Sequence, residues 1–405
     1  MSTWALSLPT VIGGASTILF GLGVAEVLLH RRNLARIPIR IHVNGTRGKS
    51  SVTRLIASAL RESGLCTFAK TTGTLARVIL PDGSELPVFR PAGANIMEQK
   101  RIVATALAYR ADALVIECMA LQPELQVLSE RGLVRATHAV ITNARPDHLD
   151  VMGPGPRDVA LALAGMTPVR AKLFTREQEH LDVLQAAAKD RKSELFAVDD
   201  AAVEDIDEAT LARFGYTEHR ENIALALSVV ESLGVSREVA LRGMAKTPPD
   251  PGALTVHELD FFGRRIVFVN AFAANDPVSS GQLWHLMVQR FPDVDTRVAI
   301  FNCRADRADR SLQLADALKD WTTPDHIVLM GSGTYAFARA FERHGDPAKV
   351  VFVEGYRTEE IFERVIGLSG RSALIVGLGN IGGQGLPLVS FFANRAPPQD
   401  AANGS

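Results

Sequence analysis

Nine residues constrain the fold more than any others: Val43-Asn44-Gly45-Thr46-Arg47-Gly48-Lys49-Ser50-Ser51. The stretch ends in Gly-Lys-Ser, as a phosphate-binding loop between a strand and a helix does. The usual form G-x-x-x-x-G-K-[ST] needs glycine at position 43. Valine stands there, and the first glycine comes two residues later. The flanks nevertheless supply the required context. Residues 37–43 are a short β-branched run, and residues 49–63 place Val52, Leu55, Ile56 and Leu60 at helical spacing before Gly64 stops them. A phosphate would sit at the start of that helix, where free backbone N–H groups point outward. Lys49 would reach the β- and γ-phosphates, Ser50 would ligate Mg²⁺, and Gly45 and Gly48 would let the backbone come close.

Strand-like runs recur at 113–117 ("ALVIE") and 139–142 ("AVIT"), with helical patterns between them. Such alternation predicts a mostly parallel sheet covered on both faces. Residues 247–252 (TPPDPG) are too rich in proline for helix or central strand, and mark a linker over 247–254. A second alternating series follows, with strands expected at 265–269, 298–301, 327–330, 350–353 and 373–376. The chain is therefore read as α/β, with a P-loop ATP-binding domain over 37–246 and a Rossmann-like domain over 255–395. A disordered tail is expected over 396–405.

The first 36 residues are different. No charged side chain occurs from Trp4 to Ala25, a run of 22 residues. At the helical rise this reaches about 33 Å, enough to cross a bilayer core. Arg31, Arg32 and Arg36 follow, which by the positive-inside rule keeps the remainder in the cytoplasm. A cleaved signal peptide would need a basic segment before the apolar run, and none is there. The expectation is a single-pass anchor over 1–36 in the cell membrane. The net charge of −1 argues against a nucleic-acid partner, and three scattered cysteines argue against a disulfide framework or structural zinc.

Several segments carry chemistry. Glu117 ends an apolar strand run at the sheet edge where open α/β sheets bind ligands, and its carboxylate could take Mg²⁺. Asn143, Asp147, His148 and Asp150 crowd into eight residues after the next strand, which makes His148 a candidate metal ligand. Ser50, Glu117 and His148 are read as exposed site residues, so replacing each by alanine should abolish ATP turnover yet leave thermal stability nearly unchanged. In the second domain, "NCRADRADRS" (302–311) sets Arg304, Arg307 and Arg310 among Asp306 and Asp309. Guanidinium forks of this kind grip carboxylates or phosphates. "GLGNIGG" (377–383) is a weak dinucleotide-like signal.

Taken together these segments resemble the Mur ligase superfamily of ATP-dependent amide ligases. Its P-loop has the form GTxGK[ST], which explains Val43. "TNARPDHLDVMG" (142–153), "AANDPVS" (273–279) and "CRADRADR" (303–310) are similar to further superfamily segments, with Asn275 in a histidine position. Within the superfamily the likeness is to the poly-γ-glutamate synthase ligase subunits, through "NGTRGKSSVTRL", "KTTGT", "NIMEQK", "ECMA", "DHLDVMGP", "PPDPGAL", "FAANDPVSS", "NCRADRADR" and "GLGNIGG", in order from 44 to 383. The resemblance implies that Asn44, Gly45, Thr46, Arg47, Gly48, Lys49, Ser50 and Ser51 bind ATP, joined by Asn275 and Asp276. It implies Mg²⁺ on Ser50, Glu117 and His148, catalysis by Lys49, Glu117 and His148, and substrate contacts from Lys70, Thr71, Thr72, Arg304, Asp306 and Arg307. Glutamate, the poly-γ-glutamate chain, membrane subunits of a synthase and a homo-oligomer are the implied partners. The P-loop follows the anchor directly, leaving no room for the UDP-binding domain of Mur enzymes. Lys172 is the one weak candidate for the lysine that many of them carbamylate.

Two rivals are a folylpolyglutamate-type ligase, which a membrane anchor disfavours, and an ATPase that energises polymer export without making a bond. A carboxylate-gripping arginine loop favours bond formation over the second.

Overall fold

The computed structural model describes residues 8–72, 76–90, 93–214, 216, 218–248, 254–274 and 276–396. The first seven residues of the expected anchor, Gly73 and Thr74 of the "KTTGT" segment, linker residues 249–253, Asn275 and the tail 397–405 lie outside these. The chain forms two compact units that divide after Pro248.

The first unit is built on eight strands: β1 (Ile39–Asn44), β2 (Thr67–Lys70), β3 (Arg77–Ile79), β4 (Glu85–Pro87), β5 (Ala113–Glu117), β6 (His138–Ile141), β7 (Lys172–Thr175) and β8 (Glu194–Ala197). Their order is β4-β3-β2-β5-β1-β6-β7-β8, parallel except for β3 and β4, which extend one edge antiparallel. The central strands are apolar along their whole length because both faces are covered. Ile41, Val43, Leu114, Val115, Ile116, Val140 and Ile141 are all fully buried. Helix α2 (Lys49–Glu62) buries Val52, Leu55, Ile56 and Leu60 completely. Each such side chain contributes about 1.5–3 kcal/mol, so packing rather than capping holds the start of α2 in place. Arg54 of α2 is also buried, and its guanidinium pairs with Glu85 to tie the β3–β4 edge to the helix.

Helix α1 (Leu8–Ala35) spans 28 residues and holds an 18-residue window of mean hydropathy 1.8, long and apolar enough to cross a membrane. Residues 9–29 are exposed, among them Ile18, Leu19 and Phe20. Its last turns behave otherwise. Leu34 is buried together with Ile37, the His30 ring donates to the Leu133 carbonyl at 2.9 Å, and Glu26 pairs at 2.7 Å with Lys100 of α3 (Glu98–Ala108). The end of α1 is thus part of the first unit's own core.

The second unit holds six strands: β9 (Thr255–Phe261), β10 (Arg264–Asn270), β11 (Thr296–Cys303), β12 (His326–Gly331), β13 (Val350–Phe352) and β14 (Ser372–Leu378), ordered β13-β12-β11-β14-β10-β9. Only β9 is antiparallel. It turns into β10 through Phe262 and Gly263, both at positive φ, the conformation a two-residue hairpin turn demands. The five strands expected from sequence are β10 to β14. The six others, β2, β3, β4, β7, β8 and β9, went unread. Five of these are three or four residues long, too short to show a period, and β9 mixes His257, Glu258 and Asp260 into its apolar positions.

Candidate active site

Strand β1 delivers the phosphate-type loop, and the structure explains why its first glycine comes late. Val43 lies inside the sheet, in register with Glu117 on one side and Val140 on the other, fully buried. The chain bends only at Gly45, whose φ is +130°, and a Cβ there would stand 2.0 Å from Thr142 Oγ1. Gly48 has φ +80°, and a Cβ would meet Asn222 Oδ1 at 2.6 Å. Glycine is forced at both positions.

The end of β6 pins the loop. Thr46 donates through its N–H to the Asn143 carbonyl at 3.0 Å and through its hydroxyl to Asn143 Oδ1 at 2.7 Å. The Arg47 N–H donates to the same Oδ1 at 3.1 Å, and Thr142 Oγ1 donates to the Arg47 carbonyl at 2.6 Å. Asn44 is buried, with its amide on Gln126 at 2.8 Å, so it stiffens the loop's root. Lys49 reaches back over the loop to the Gly45 carbonyl at 2.6 Å. Ser50 and Ser51 occupy the first turn of α2 behind Gly48, where unpaired amides and the helix dipole favour an anion.

Glu117 closes this arrangement. Its carboxylate accepts from Ser50 Oγ at 2.8 Å, from the Thr72 N–H at 2.7 Å and from the Thr72 hydroxyl at 2.7 Å. At 2 % exposure it is not the exposed residue expected from sequence. Its removal leaves a buried N–H without a partner, a loss of about 1–3 kcal/mol, so the expectation of unchanged stability is corrected for Glu117. The Ser50 hydroxyl and Glu117 carboxylate form an all-oxygen pair beside the loop, which fits Mg²⁺, a cation that takes oxygen donors and keeps several waters. His148 sits in the left-handed region at φ +47°, with Nε2 3.9 Å from Asp147 Oδ1. Among the described residues no three His, Cys, Asp or Glu side chains converge on one point.

The remaining candidates in this unit are placed differently. Lys70 is fully buried and its ammonium contacts Glu98 at 2.6 Å, a carboxylate that Arg90 also grips at 2.8 Å through two nitrogens. Burial pulls the Lys70 ammonium below its ordinary pKa, with Glu98 opposing. Thr71 is buried and its N–H donates to the Arg77 carbonyl, while Thr72 clamps Glu117. Lys172 begins β7 at the edge opposite the loop, its Nζ 5.6 Å from the Phe196 ring centre. That position removes it as a carbamylated lysine serving the site. Gln126, Asn222 and Glu177, which holds the Ala144 and His180 N–H groups at 2.7 and 2.9 Å, had no sequence signal at all.

Beneath the loop, His42 of β1 is fully buried against Glu130 at 2.7 Å. Burial opposes its charge, but the neighbouring Cys118 sulfur and the Glu130 carboxylate outweigh that and raise its pKa to about 9. The unfolded value is near 6.5. Because the folded value is the higher, this pair's stabilisation is complete below pH 6.5 and is lost as pH rises through 9. The urea midpoint should therefore fall from pH 6.5 to 9.5, by at most about 3 kcal/mol in stability, and His42→Gln should flatten that slope.

In the second unit, Asp276 caps helix Pro277–Arg290 by accepting from the Ser279 N–H at 2.9 Å. Arg304 forks onto Asp306 through Nε at 2.9 Å and Nη2 at 2.6 Å, which holds the Asp306 carboxyl below its usual range. Arg304, Arg307 and Arg310 line a small cavity with Asn302 and Asn380 at the C-terminal ends of β11 and β14. Asn302 donates to the carbonyls of Asn380 and Gly382 at 2.5 and 2.7 Å, so the run 377–383 folds back onto β11.

A strand, a Gly-Thr-x-Gly-Lys-Ser loop, a helix and a carboxylate on the neighbouring strand define the middle domain of Mur-type ATP-dependent amide ligases. The Mur ligase middle domain model matches residues 43–162, and the poly-gamma-glutamate synthase CapB C-terminal domain model matches 256–395. The capsule biosynthesis protein CapB of Bacillus anthracis is 36% identical over 385 residues, covering 94% of this chain and 82% of that relative. PGA synthase CapB of Bacillus subtilis (strain 168) is 36% identical over 378 residues, covering 93% and 95%. This chain belongs to the CapB family of poly-γ-glutamate synthases. Among solved structures, a bifunctional folylpolyglutamate synthase/dihydrofolate synthase of Yersinia pestis complexed with AMPPNP and Mn has the same fold, with TM-score 0.66, 15% identity and coverage of 91% and 93%. A synthase of the same description with Mn, AMPPNP and L-glutamate bound gives TM-score 0.62, 15% identity and coverage of 90% and 92%.

Proposed function

We propose that this protein is an ATP-dependent ligase that lengthens poly-γ-glutamate through a γ-glutamyl phosphate, releasing ADP and phosphate. The observation that carries the reading is the Gly45–Ser50 loop, closed by Lys49 and paired to Glu117, in a chain 36% identical to CapB proteins along nearly its whole length. ATP lies on the loop with Lys49 at its β- and γ-phosphates. A γ-carboxylate oxygen attacks the γ-phosphorus, and the bond to the β-phosphate oxygen breaks to release ADP. The amine of glutamate then attacks the acyl carbon, loses a proton, and expels phosphate. Mg²⁺ held by Ser50 and Glu117, with His148, would neutralise phosphate charge. The residues contribute chiefly position and electrostatics. Asn275 and Asp276 meet the nucleotide, and Arg304 and Arg307 bind a substrate carboxylate, with Asp306 holding the Arg304 fork in place. Lys70, Thr71 and Thr72, buried and already paired, support the Glu117 strand end instead of meeting substrate. Membrane subunits complete the synthase. A folate substrate is not favoured, because the nearly full-length CapB relatives point elsewhere and α1 is apolar enough to span a bilayer.

Glutamate labelled with ¹⁸O in the γ-carboxylate tests this reading. Each amide formed should carry one labelled atom into phosphate, because the attacking oxygen leaves with it. Unlabelled phosphate beside normal ATP hydrolysis would mean that water, not a carboxylate, takes the phosphoryl group.

Localisation to the cell membrane by a single pass, with both units in the cytoplasm, belongs to the same proposal. Deleting residues 1–25 should move the protein to the soluble fraction with ATP turnover intact. Deleting 1–36 should also release it but lower its melting temperature, since Leu34 leaves the core. Sedimentation of the shorter deletion with subunit-free membranes would remove α1 as the anchor.

A further inference from the structure

A cavity of about 970 Å³ lies in the first unit at the sheet edge opposite the loop. It opens beside the end of α1, against Arg40 at the start of β1 and the residues leading into β6 and β7. Seven basic side chains line it against two acidic ones, Glu130 and Asp190, in a chain whose net charge is −1. Glu130 is already committed to His42 and to the Ala136 N–H.

The basic groups are organised rather than scattered. Arg40 donates to the carbonyls of Ile37, Leu34 and Arg135, and Arg191 to that of Gly165, which fixes two guanidinium stems in the wall. Arg135, Arg170 and Lys192 all stand at positive φ, three of the six non-glycine residues in that conformation among the described residues. These are turn positions that glycine or asparagine would occupy with less strain. Long basic side chains stand there instead, and all three face one cavity. Leu34, Ala35 and Val169 give the same cavity an apolar flank. Arg31 of α1 lines it too, six residues beyond the last uncharged residue of the apolar run.

We propose that this cavity binds the headgroup of an anionic phospholipid. The phosphodiester would take the arginines, and the apolar flank would take the start of the acyl chains. A lipid is favoured over the anionic polymer because the cavity abuts α1, the one helix among the described residues long and apolar enough to span a bilayer, where anionic headgroups concentrate and basic pockets beside membrane helices collect them. This assignment stands apart from the ligase chemistry, whose first-unit residues lie at the other edge of the sheet.

The test uses the full chain in nonionic micelles, with the melting temperature followed against short-chain phosphatidylglycerol. Phosphatidylcholine of the same acyl length, inorganic phosphate and poly-γ-glutamate oligomers are the comparison arms. Phosphatidylglycerol should raise the melting temperature saturably, and phosphatidylcholine should not. The triple variant Arg135→Asn/Arg170→Asn/Lys192→Asn keeps residues that tolerate left-handed turns, and should weaken the response about a hundredfold while ATP turnover is unchanged. Arg131→Gln, which touches none of the three turns, should weaken it about fivefold and serves if the triple variant fails to fold. Equal responses to both lipids, an undiminished response in Arg131→Gln or the folded triple variant, or a response to phosphate or the oligomers without one to phosphatidylglycerol would each overturn the assignment.

Discussion

Membranes carrying Lys49→Ala in place of the parent protein are expected to lose about three orders of magnitude in both ATP turnover and amide formation, the scale on which one preorganised charge at a transition state is felt. The Lys49 ammonium already lies across the loop on the Gly45 carbonyl, 2.6 Å away. A phosphate oxygen arriving there finds the charge in place, with no reorganisation needed. The folded state depends on it far less, since one partly buried hydrogen bond is worth only about 1 kcal/mol. The urea midpoint should therefore scarcely move. Lys49→Arg should fare little better than alanine, because a planar fork cannot fold back over a loop this tight. Retention of more than a tenth of the ATP turnover in Lys49→Ala would show that the loop does not hold the reacting phosphate.

The second large effect belongs to Glu117→Gln, which is nearly isosteric but cannot accept all three of the bonds that converge on the carboxylate. ATP turnover should fall by about 10²–10³-fold, and the Mg²⁺ concentration for half-maximal rate should rise. Stability should also fall, by about 1 kcal/mol, because the Thr72 N–H and Ser50 Oγ share one carboxylate oxygen while the Thr72 hydroxyl donates to the other, which an amide nitrogen cannot replace as acceptor. Ser50→Ala separates the two consequences: it removes the hydroxyl from the loop, yet leaves Thr72 fully bonded, so activity should drop without that stability loss. A Glu117→Gln protein with unaltered Mg²⁺ dependence would take Glu117 out of the metal site, whatever its melting temperature.

Much of this was legible from residues alone where the physics is local. The β1–loop–α2 unit announces itself because a β-branched run, two forced glycines and a helical period fall close together in the chain. Glu117 could be placed at a strand end because "ALVIE" is apolar up to its last residue. What escaped depends on contacts between segments far apart in sequence. Nothing near Asn222 shows that its side chain will fill the space beside Gly48, 174 residues earlier. Burial was equally hidden for Lys70: a lysine next to threonines reads as a ligand contact until Glu98 and Arg90 are seen around it. The docking of α1's last turns was also invisible, since nothing in residues 26–35 names Lys100 or Leu133, far along the chain, as their partners.

That docking sets a distance. Only three residues separate the end of α1 from β1, and Leu34 and Ile37 fix them in the core. The helix is therefore a strut, not a tether. Six residues of strand at about 3.3 Å each put the loop roughly 20 Å from that junction. A bond made at the loop is made at a standing height above the helix end, which thermal motion of a flexible linker cannot shorten. Under the proposed ligase and membrane-anchor readings, the loop stands off from the bilayer by at least that length, so polymer length acts as a gauge: only a chain several residues long can remain held at the loop while its other end meets the bilayer surface.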